Sequence, residues 1–296
     1  MRTYDHDAFR AAYGKVLAKW PADRETVTVP TPFGSAHVNA CGPRGAPPLV
    51  LLPGGGGATS ASWYAQAARL GRERRVLAVD LPGAAGLSGT DGGPAPRTVD
   101  DLVVWLDAVL DGLGVDEVSV GGHSYGAWIA LHHALRRAPG RVRRLFLLDP
   151  TQCFAGYRAT YLLHALPVLL RPTPRRVRAF LAWETGGAAL DPDWLRLQEA
   201  AAGFPAAKPV TGPRPSPARL RGLDVPVLLF VAANGRALPH SRLRSSAGTP
   251  VTYEVAARAR ELLPRVETVV LPDVSHHALP PAAPCELGRH LTEFLR

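Results

Sequence analysis

The segment GHSYG at positions 122–126 constrains the fold of this chain more than any other feature. An apolar β-type run, Glu117–Val120, leads directly into it, and a helical stretch to about Arg137 follows it. A residue on such a strand–helix turn has a strained backbone, so its neighbours two positions away must lack bulk. The two glycines meet that need. The pattern therefore predicts a sharp turn that lifts Ser124 above the edge of a sheet, beside the positive end of a helix dipole.

The rest of the chain alternates apolar β-rich runs with helical stretches and shows no internal repeat. This alternation indicates a mostly parallel sheet with helices on its faces. A capping box at Thr98 and Asp101 opens the clearest helix, and other helices are predicted at 7–20 and at about 251–263. With 296 residues, of which 46% are hydrophobic, the chain can bury one sizeable core or one core plus a small subdomain.

Residues 151–221 interrupt this alternation. Helical stretches are predicted at roughly 157–170, 174–184 and 191–202, and a proline-rich connection at 203–217 follows them. We therefore expect a helical cap at 151–221, inserted into a core that is formed by residues 1–150 and 222–296.

Composition excludes several classes of function. No apolar run is long enough to span a bilayer, and the polar first residues do not resemble a secretory signal. Three widely spaced cysteines predict neither a disulfide framework nor a metal site, which fits the cytoplasm.

The net charge of +9 comes mainly from arginine, since only three of the 34 basic residues are lysine. That bias is typical of GC-rich codon usage, the alternative being an acidic partner. Scattered arginines without a binding motif argue against nucleic acid.

Four ordered motifs between Pro48 and His277 resemble those of the α/β-hydrolase superfamily. They are LLPGGG at 51–56, DxxGxxGxS at 80–88, GHSYG at 122–126 and the loop around His276. The resemblance implies an eight-stranded, mostly parallel sheet flanked by helices, with an inserted helical cap over the nucleophile Ser124. It also implies that the backbone N–H groups of Tyr125 and of the glycine loop hold an oxyanion. In that loop Gly55 is the first choice and Gly56 the second.

A serine hydroxyl needs a base within hydrogen-bond reach. Sequence order places that base in the loop after the last strand, where His276 is preferred and His277 is the alternative. We expect His277 to point away or to bind backbone, and His123 to pack under the turn. The glycine loop departs from the family pattern, which usually has His-Gly where this chain has Pro53-Gly54.

The acid that would orient the histidine is less well defined. The family most often places it after the strand that follows the cap, but residues 231–236 contain no carboxylate and have Asn234 and Gly235 at the expected position. The known alternative is the end of the next strand after the GHSYG turn (the elbow) and its helix, and Asp149 lies there. A dyad without an acid and a different carboxylate both stay open.

Aromatic side chains predict an apolar substrate pocket. We expect Phe154 and Trp183 from the cap, Trp63 from the region of the glycine loop, and Gly56 to contribute to substrate binding, although ordinary packing is the commoner reason for such aromatics. An arginine cluster on the cap is either solvated or meets an acidic group such as phosphopantetheine; it comprises Arg171, Arg175, Arg176 and Arg178.

These features predict a cytoplasmic serine hydrolase of carboxylic esters or thioesters that acts through an acyl-enzyme on Ser124. We expect a small-molecule acyl substrate, no metal, no cofactor, no nucleic acid and no membrane partner. Two alternatives use the same scaffold. One is a non-hydrolytic lyase, cyclase or C–C bond-cleaving enzyme, and the other is a ligand-binding protein.

Overall fold

The computed structural model describes residues 4–238, 254–281 and 285–296. Eight strands form one sheet in the order β1-β2-β4-β3-β5-β6-β7-β8. In chain order they are β1 Glu25–Thr31, β2 Gly34–Cys41, β3 Pro48–Leu52, β4 Arg75–Val79, β5 Val118–His123, β6 Val142–Leu148, β7 Val227–Ala232 and β8 Val266–Leu271. Strand β2 is antiparallel to both of its neighbours, and the pairs from β4 to β8 are parallel. The predicted eight-stranded, mostly parallel sheet is confirmed.

Helices cover both faces of the sheet, as a parallel sheet requires. They are α1 His6–Leu17, α2 Tyr64–Leu70, α3 Val99–Gly112, α4 Tyr125–Arg137, α5 Ala159–Leu170, α6 Pro174–Glu184, α7 Pro192–Ala200, α8 Pro217–Arg221, α9 Glu254–Leu262 and α10 Cys285–Leu295. Alternate strand residues enter two apolar clusters. Helices α3, α4 and α9 pack into one cluster, and α2 and α10 pack into the other.

The helix boundaries follow local sequence signals. Thr98 Oγ1 accepts a hydrogen bond from the Asp101 backbone, and Asp101 accepts one from the Thr98 backbone, so the predicted capping box is confirmed. Helix α1 was expected at 7–20 but ends at Leu17, and turn hydrogen bonds continue to Trp20, which precedes a proline. Helix α9 begins at Glu254, so the predicted start at 251 lies outside the described residues.

Helices α5 to α8 lie between β6 and β7 in the chain. Helix α7 packs against α1, α6 contacts both α5 and α7, and the short α8 contacts α9. Within the described ranges, none of the helices combines the length and apolar character needed to cross a membrane.

Candidate active site

The GHSYG segment forms the predicted turn between β5 and α4. Ser124 has φ 52° and ψ −112°, an unfavourable backbone conformation for a residue with a side chain. A Cβ on Gly122 would lie 2.4 Å from the carbonyl carbon of Gly126, and one on Gly126 would lie 2.3 Å from the oxygen of Pro53. Neither position accepts a side chain, so the tight packing of the turn requires both glycines.

The turn brings Ser124 to a buried histidine from a distant loop. Ser124 Oγ donates a hydrogen bond to His276 Nε2 at 3.0 Å, and His276 Nδ1 donates one to Asp149 Oδ2 at 2.6 Å. All three residues are buried. The structure thus places the predicted nucleophile, base and acid in one hydrogen-bonded line, and their catalytic roles stay predictions.

Asp149 reaches the histidine from the end of β6. Strands β6 and β7 are adjacent and parallel, so their carboxyl ends lie side by side. Asp149 Oδ1 also accepts a hydrogen bond from the backbone N–H of Ala232 at 3.1 Å. A Cβ built on Gly235 would lie 3.5 Å from Asp149 Oδ2, so the loop without a carboxylate packs directly against Asp149. An acid on either strand can therefore serve the same imidazole.

Burial sets the protonation state of the histidine. Desolvation, with a smaller effect from His277, lowers the pKa of His276, and Glu184 acts in the opposite direction. The imidazole is therefore neutral at pH 7. Donation from Nδ1 to the Asp149 carboxylate fixes the tautomer and leaves the Nε2 lone pair facing Ser124.

Two neighbouring histidines occupy different environments. His123 Nε2 donates to the backbone oxygen of His276 at 2.9 Å, and burial lowers the pKa of His123 well below its usual value. His123 packs under the turn as expected. The expectation that the His277 side chain points away or binds backbone is wrong, because it lines both cavities beside Ser124, stacks on Tyr161 and has its Nε2 2.9 Å from the Tyr161 hydroxyl.

Glu184 is a buried carboxylate that the sequence reasoning missed. It lies at the end of α6, and it accepts backbone hydrogen bonds from His276 at 3.0 Å and from His277 at 3.1 Å. A third contact joins it to the backbone of Arg236 at 3.4 Å. Glu184 therefore holds the histidine loop against α6. It is the only acidic residue between Asp149 and Asp191, but that isolation in the sequence does not indicate burial.

The glycine loop and the first turn of α4 lie beside Ser124. Ser124 is the N-cap of α4 but makes no side-chain capping hydrogen bond, so its hydroxyl is directed to His276 and not to the helix. A Cβ on Gly55 would lie 3.6 Å from the Cβ of Tyr125, so the glycine loop runs alongside the first residue of α4. Gly55, Gly56 and Tyr125 all line the cavity next to Ser124.

Asp80 supports this region from below. It accepts hydrogen bonds from the backbone of Ser60 at 2.7 Å and of Leu87 at 2.8 Å, and from the Tyr13 hydroxyl at 3.0 Å. These contacts tie the segments after β3 and β4 to α1, so Asp80 braces the loops and lies away from the His276 ring.

A cavity of about 380 Å³ opens from Ser124 beneath α5 and α6. Its walls are mostly apolar: the core side includes Trp128, the helical side includes Tyr161, Leu162, Ala165, Val168, Leu169, Val177, Phe180 and Leu181, and residues 209–212 complete the wall. A second cavity, of about 20 Å³, lies on another side of Ser124 against Gly54, Ala58 and Leu279. Ser124 thus separates a large apolar space from a small one.

Three of the aromatic residues expected in the pocket lie elsewhere. Trp63 is fully buried in the cluster on the other face of the sheet, where its ring meets Phe146 edge to face. Phe154 is buried in the main core. Trp183 stacks on His164 at 3.9 Å between ring centroids, lies under the Arg236 guanidinium and does not line the cavity. Gly56 does line the large cavity.

The residues that the structure describes include no group of three or more His, Cys, Asp or Glu side chains suited to hold a metal ion.

Comparison with known proteins agrees with this fold. The chain is 28% identical over 277 residues to carboxylesterase YbfK of Bacillus subtilis, covering 90% of this chain and 87% of that protein. The crystal structure of carboxylesterase CesB (YbfK) superposes with a TM-score of 0.82 at 27% identity, covering 97% of this chain and 96% of that one. Naproxen esterase from B. subtilis gives a TM-score of 0.84 at 25% identity, with full coverage of both chains.

The model of one protein family matches residues 49–287, which include all four sequence motifs and the Ser124–His276–Asp149 arrangement. This range is well over half of the chain. The protein therefore belongs to the alpha/beta hydrolase family.

Proposed function

We propose that this protein is a serine hydrolase that cleaves carboxylic esters with one bulky apolar group. The observation that carries the proposal is the buried line of hydrogen bonds from Ser124 Oγ through His276 to Asp149. The full-length relatives named carboxylesterases support ester hydrolysis over the lyase, cyclase and C–C cleavage alternatives. The hydrogen bond between Ser124 and His276, a nucleophile–base pair, likewise argues against a protein that only binds ligand.

The geometry supports a two-step reaction. His276 Nε2 accepts the Ser124 proton as Oγ attacks the ester carbonyl, and the backbone N–H groups of Tyr125 and Gly55 stabilise the oxyanion. His276 then gives that proton to the departing alcohol oxygen, which leaves an acyl-enzyme. Water attacks the acyl carbon while His276 takes its proton, and Ser124 recovers the proton as the carboxylic acid leaves.

The two cavities support an asymmetric substrate. The large cavity accommodates an extended or aromatic apolar group, because its walls are mainly leucine, valine and aromatic carbon. The small cavity has room for little more than a methyl-sized group. We therefore propose a small-molecule ester with one large and one small substituent.

We also propose that residues 151–221 form a cap over a core of residues 1–150 and 222–296. Supporting this division, α5 and α6 roof the large cavity above Ser124. The Tyr125 hydroxyl donates to the backbone oxygen of Val210 at 2.8 Å, which ties the connection after α7 to the elbow. Cytoplasmic location is a further proposal, supported by the buried free thiols of Cys41 and Cys153.

Substitution of the serine tests the proposal. Ser124→Ala removes the attacking oxygen, so kcat/KM for a p-nitrophenyl ester should fall by roughly 10⁵-fold or more. Ser119→Ala, on the same strand β5, serves as the matched control and should keep the wild-type rate. Circular dichroism and thermal melting would check that both variants are folded. Undiminished turnover by Ser124→Ala would overturn the proposal.

A further inference from the structure

Helix α5 presents an apolar stripe to solvent. Five leucines on this 12-residue helix are exposed, namely Leu162, Leu163, Leu166, Leu169 and Leu170. At about 100° per residue, they fall within a stripe of about 120° on the helix surface. Leu163 and Leu170, which do not line the large cavity, have 67% and 75% of their surface accessible. A helix on the surface of a globular protein ordinarily presents polar residues there.

Most of the exposed large apolar side chains of the described residues lie in this stripe. Among the described residues, only two other large apolar side chains are exposed, Val104 and Val270, and they lie singly on α3 and β8. Single exposed apolar residues are common, whereas a contiguous patch marks an interaction site.

Rotation of α5 cannot bury the stripe, because the opposite side of the helix is already engaged. Tyr161 and Ala165 face the large cavity, and the Tyr161 hydroxyl contacts His277 Nε2 at 2.9 Å. The leucines therefore stay outward as long as the cavity keeps its shape.

Positive charge lies at the ends of helix α5, mostly at its carboxyl end. Residues 151–183 contain no acidic residue and five arginines, at positions 158, 171, 175, 176 and 178. Arg176 donates to the backbone oxygens of Pro167 and Arg171, which places it at the carboxyl end of α5. Arg178 pairs with Glu199, whereas Arg171 and Arg175 are exposed and make no ion pair with any described residue.

We propose that the outer face of α5 binds an anionic lipid surface. The leucine stripe would enter the boundary between headgroups and acyl chains, and Arg171 and Arg175 would contact lipid phosphates. A helix bound in this way lies in the plane of the membrane, so it needs no membrane-spanning length. The proposal departs from the expectation of no membrane partner, which was based on the lack of a spanning segment.

The position of the stripe next to the large cavity would link lipid binding to substrate entry. Leu162 and Leu169 are exposed and also line the large cavity, so the lipid-facing surface and the cavity wall share side chains. An apolar ester dissolved in the lipid would enter the cavity without crossing water. This link rests on the proposed function, but lipid binding itself does not.

Sedimentation with vesicles tests the binding. Ser124→Ala protein is mixed with vesicles of phosphatidylcholine alone or of phosphatidylcholine with phosphatidylglycerol, so that failure of the hydrolase assignment has no effect on the result. We expect stronger binding to the vesicles with phosphatidylglycerol, and weaker binding as salt is raised. Leu163→Gln with Leu170→Gln should lower the partition coefficient at least tenfold, because both side chains lose their apolar transfer energy. Glutamine keeps a helix propensity close to that of leucine.

Two further variants complete the design. Arg171→Gln with Arg175→Gln should lower binding to the anionic vesicles about tenfold and bring it towards that of phosphatidylcholine. Val104→Gln, which removes an exposed apolar residue from α3, should bind as the parent does. When Ser124 is kept, the Leu163→Gln, Leu170→Gln variant should hydrolyse a soluble short ester at the wild-type rate. That result would show that the fold is kept.

Three outcomes would overturn the proposal. One is lack of binding to either vesicle at low salt, and another is equal binding to both kinds of vesicle. The third is a protein dimer in analytical ultracentrifugation that the leucine variant dissociates, without vesicle binding, since a second copy of the chain would then cover the stripe.

Discussion

The side chains of Asp149 and His276 lie 2.6 Å apart although 127 positions separate them in the chain. Asp149→Asn tests whether this contact orients the base. The amide removes the negative charge that stabilises the imidazolium and allows the wrong tautomer, so kcat should fall by about 10⁴-fold while the melting temperature changes little. Steady-state kinetics on a p-nitrophenyl ester measures the effect.

The control for that substitution is Asp107→Asn. Asp107 lies on α3, where it pairs with Arg137 away from Ser124, and its replacement should leave kcat unchanged. A fall of less than tenfold in the Asp149 variant would favour a serine–histidine dyad or a different carboxylate.

Glu184 is expected to act as a positioning residue for the same histidine. In Glu184→Gln one oxygen can still accept from the His276 backbone, but the amide nitrogen cannot accept from His277. Leaving that buried donor unpaired costs roughly 1–3 kcal/mol, which displaces the loop and should lower kcat about tenfold or more. KM should change little, because Glu184 is not part of the cavity wall.

Glu199→Gln gives the matched comparison. Glu199 lies on α7 and pairs with the exposed Arg178, so this change should alter neither kcat nor KM. If Glu184→Gln lowers only the melting temperature and keeps the wild-type kcat and the wild-type rate of fluorophosphonate labelling, its role is structural and the positioning role is wrong.

These two carboxylates show what the sequence could reveal about the site. Asp149 could be predicted from the sequence, because the loop after β7 lacks a carboxylate and the end of β6 supplies one. Glu184 could not be predicted in this way, because it follows Trp183 at the end of α6, a position in a helix where acidic residues are usually solvated. Its burial comes from the contact of α6 with the histidine loop, 92 positions away from His276, and no local pattern encodes that contact.

At the scale of elements, the turn between β5 and α4 depends on close backbone packing. Gly122→Ala would place a methyl group 2.4 Å from the backbone of Gly126, where neither segment can move without disturbing the elbow. We expect a loss of more than about 3 kcal/mol in the free energy of unfolding, measured with urea, and loss of esterase activity.

Gly14→Ala provides the comparison on helix α1. A Cβ at this position meets nothing within 4 Å. Alanine favours a helix over glycine by about 0.5–1 kcal/mol, so the variant should be more stable by roughly that amount. Equal and small effects from the two substitutions would contradict the packing argument at the elbow.

The elements around the pocket were harder to predict than those of the sheet. Aromatic residues near the glycine loop and in the cap indicated a pocket wall, but Trp63 faces the opposite side of the sheet. The observed wall instead includes Leu162, Val168 and Leu169. Composition indicates that a segment is apolar, whereas the orientation of α5 over the sheet decides which side chains face the cavity.

At the scale of the whole molecule, the order of motifs specified the sheet because each motif ends a strand. The alternation of strand, loop and helix then determines which elements follow each strand, and short connections between them allow few topologies. The shape of the large cavity arises only when α5, α6 and residues 209–212 meet the core. Those contacts join segments that are distant in the chain, so the sequence predicted that a pocket exists but not its walls.

The most direct test of the account is the intact mass of the protein after reaction with a fluorophosphonate. We predict one adduct per chain, located by peptide mapping on Ser124, with very slow labelling in His276→Ala and none in Ser124→Ala. Labelling of a different residue, or an unreactive wild-type protein that still hydrolyses esters, would contradict it.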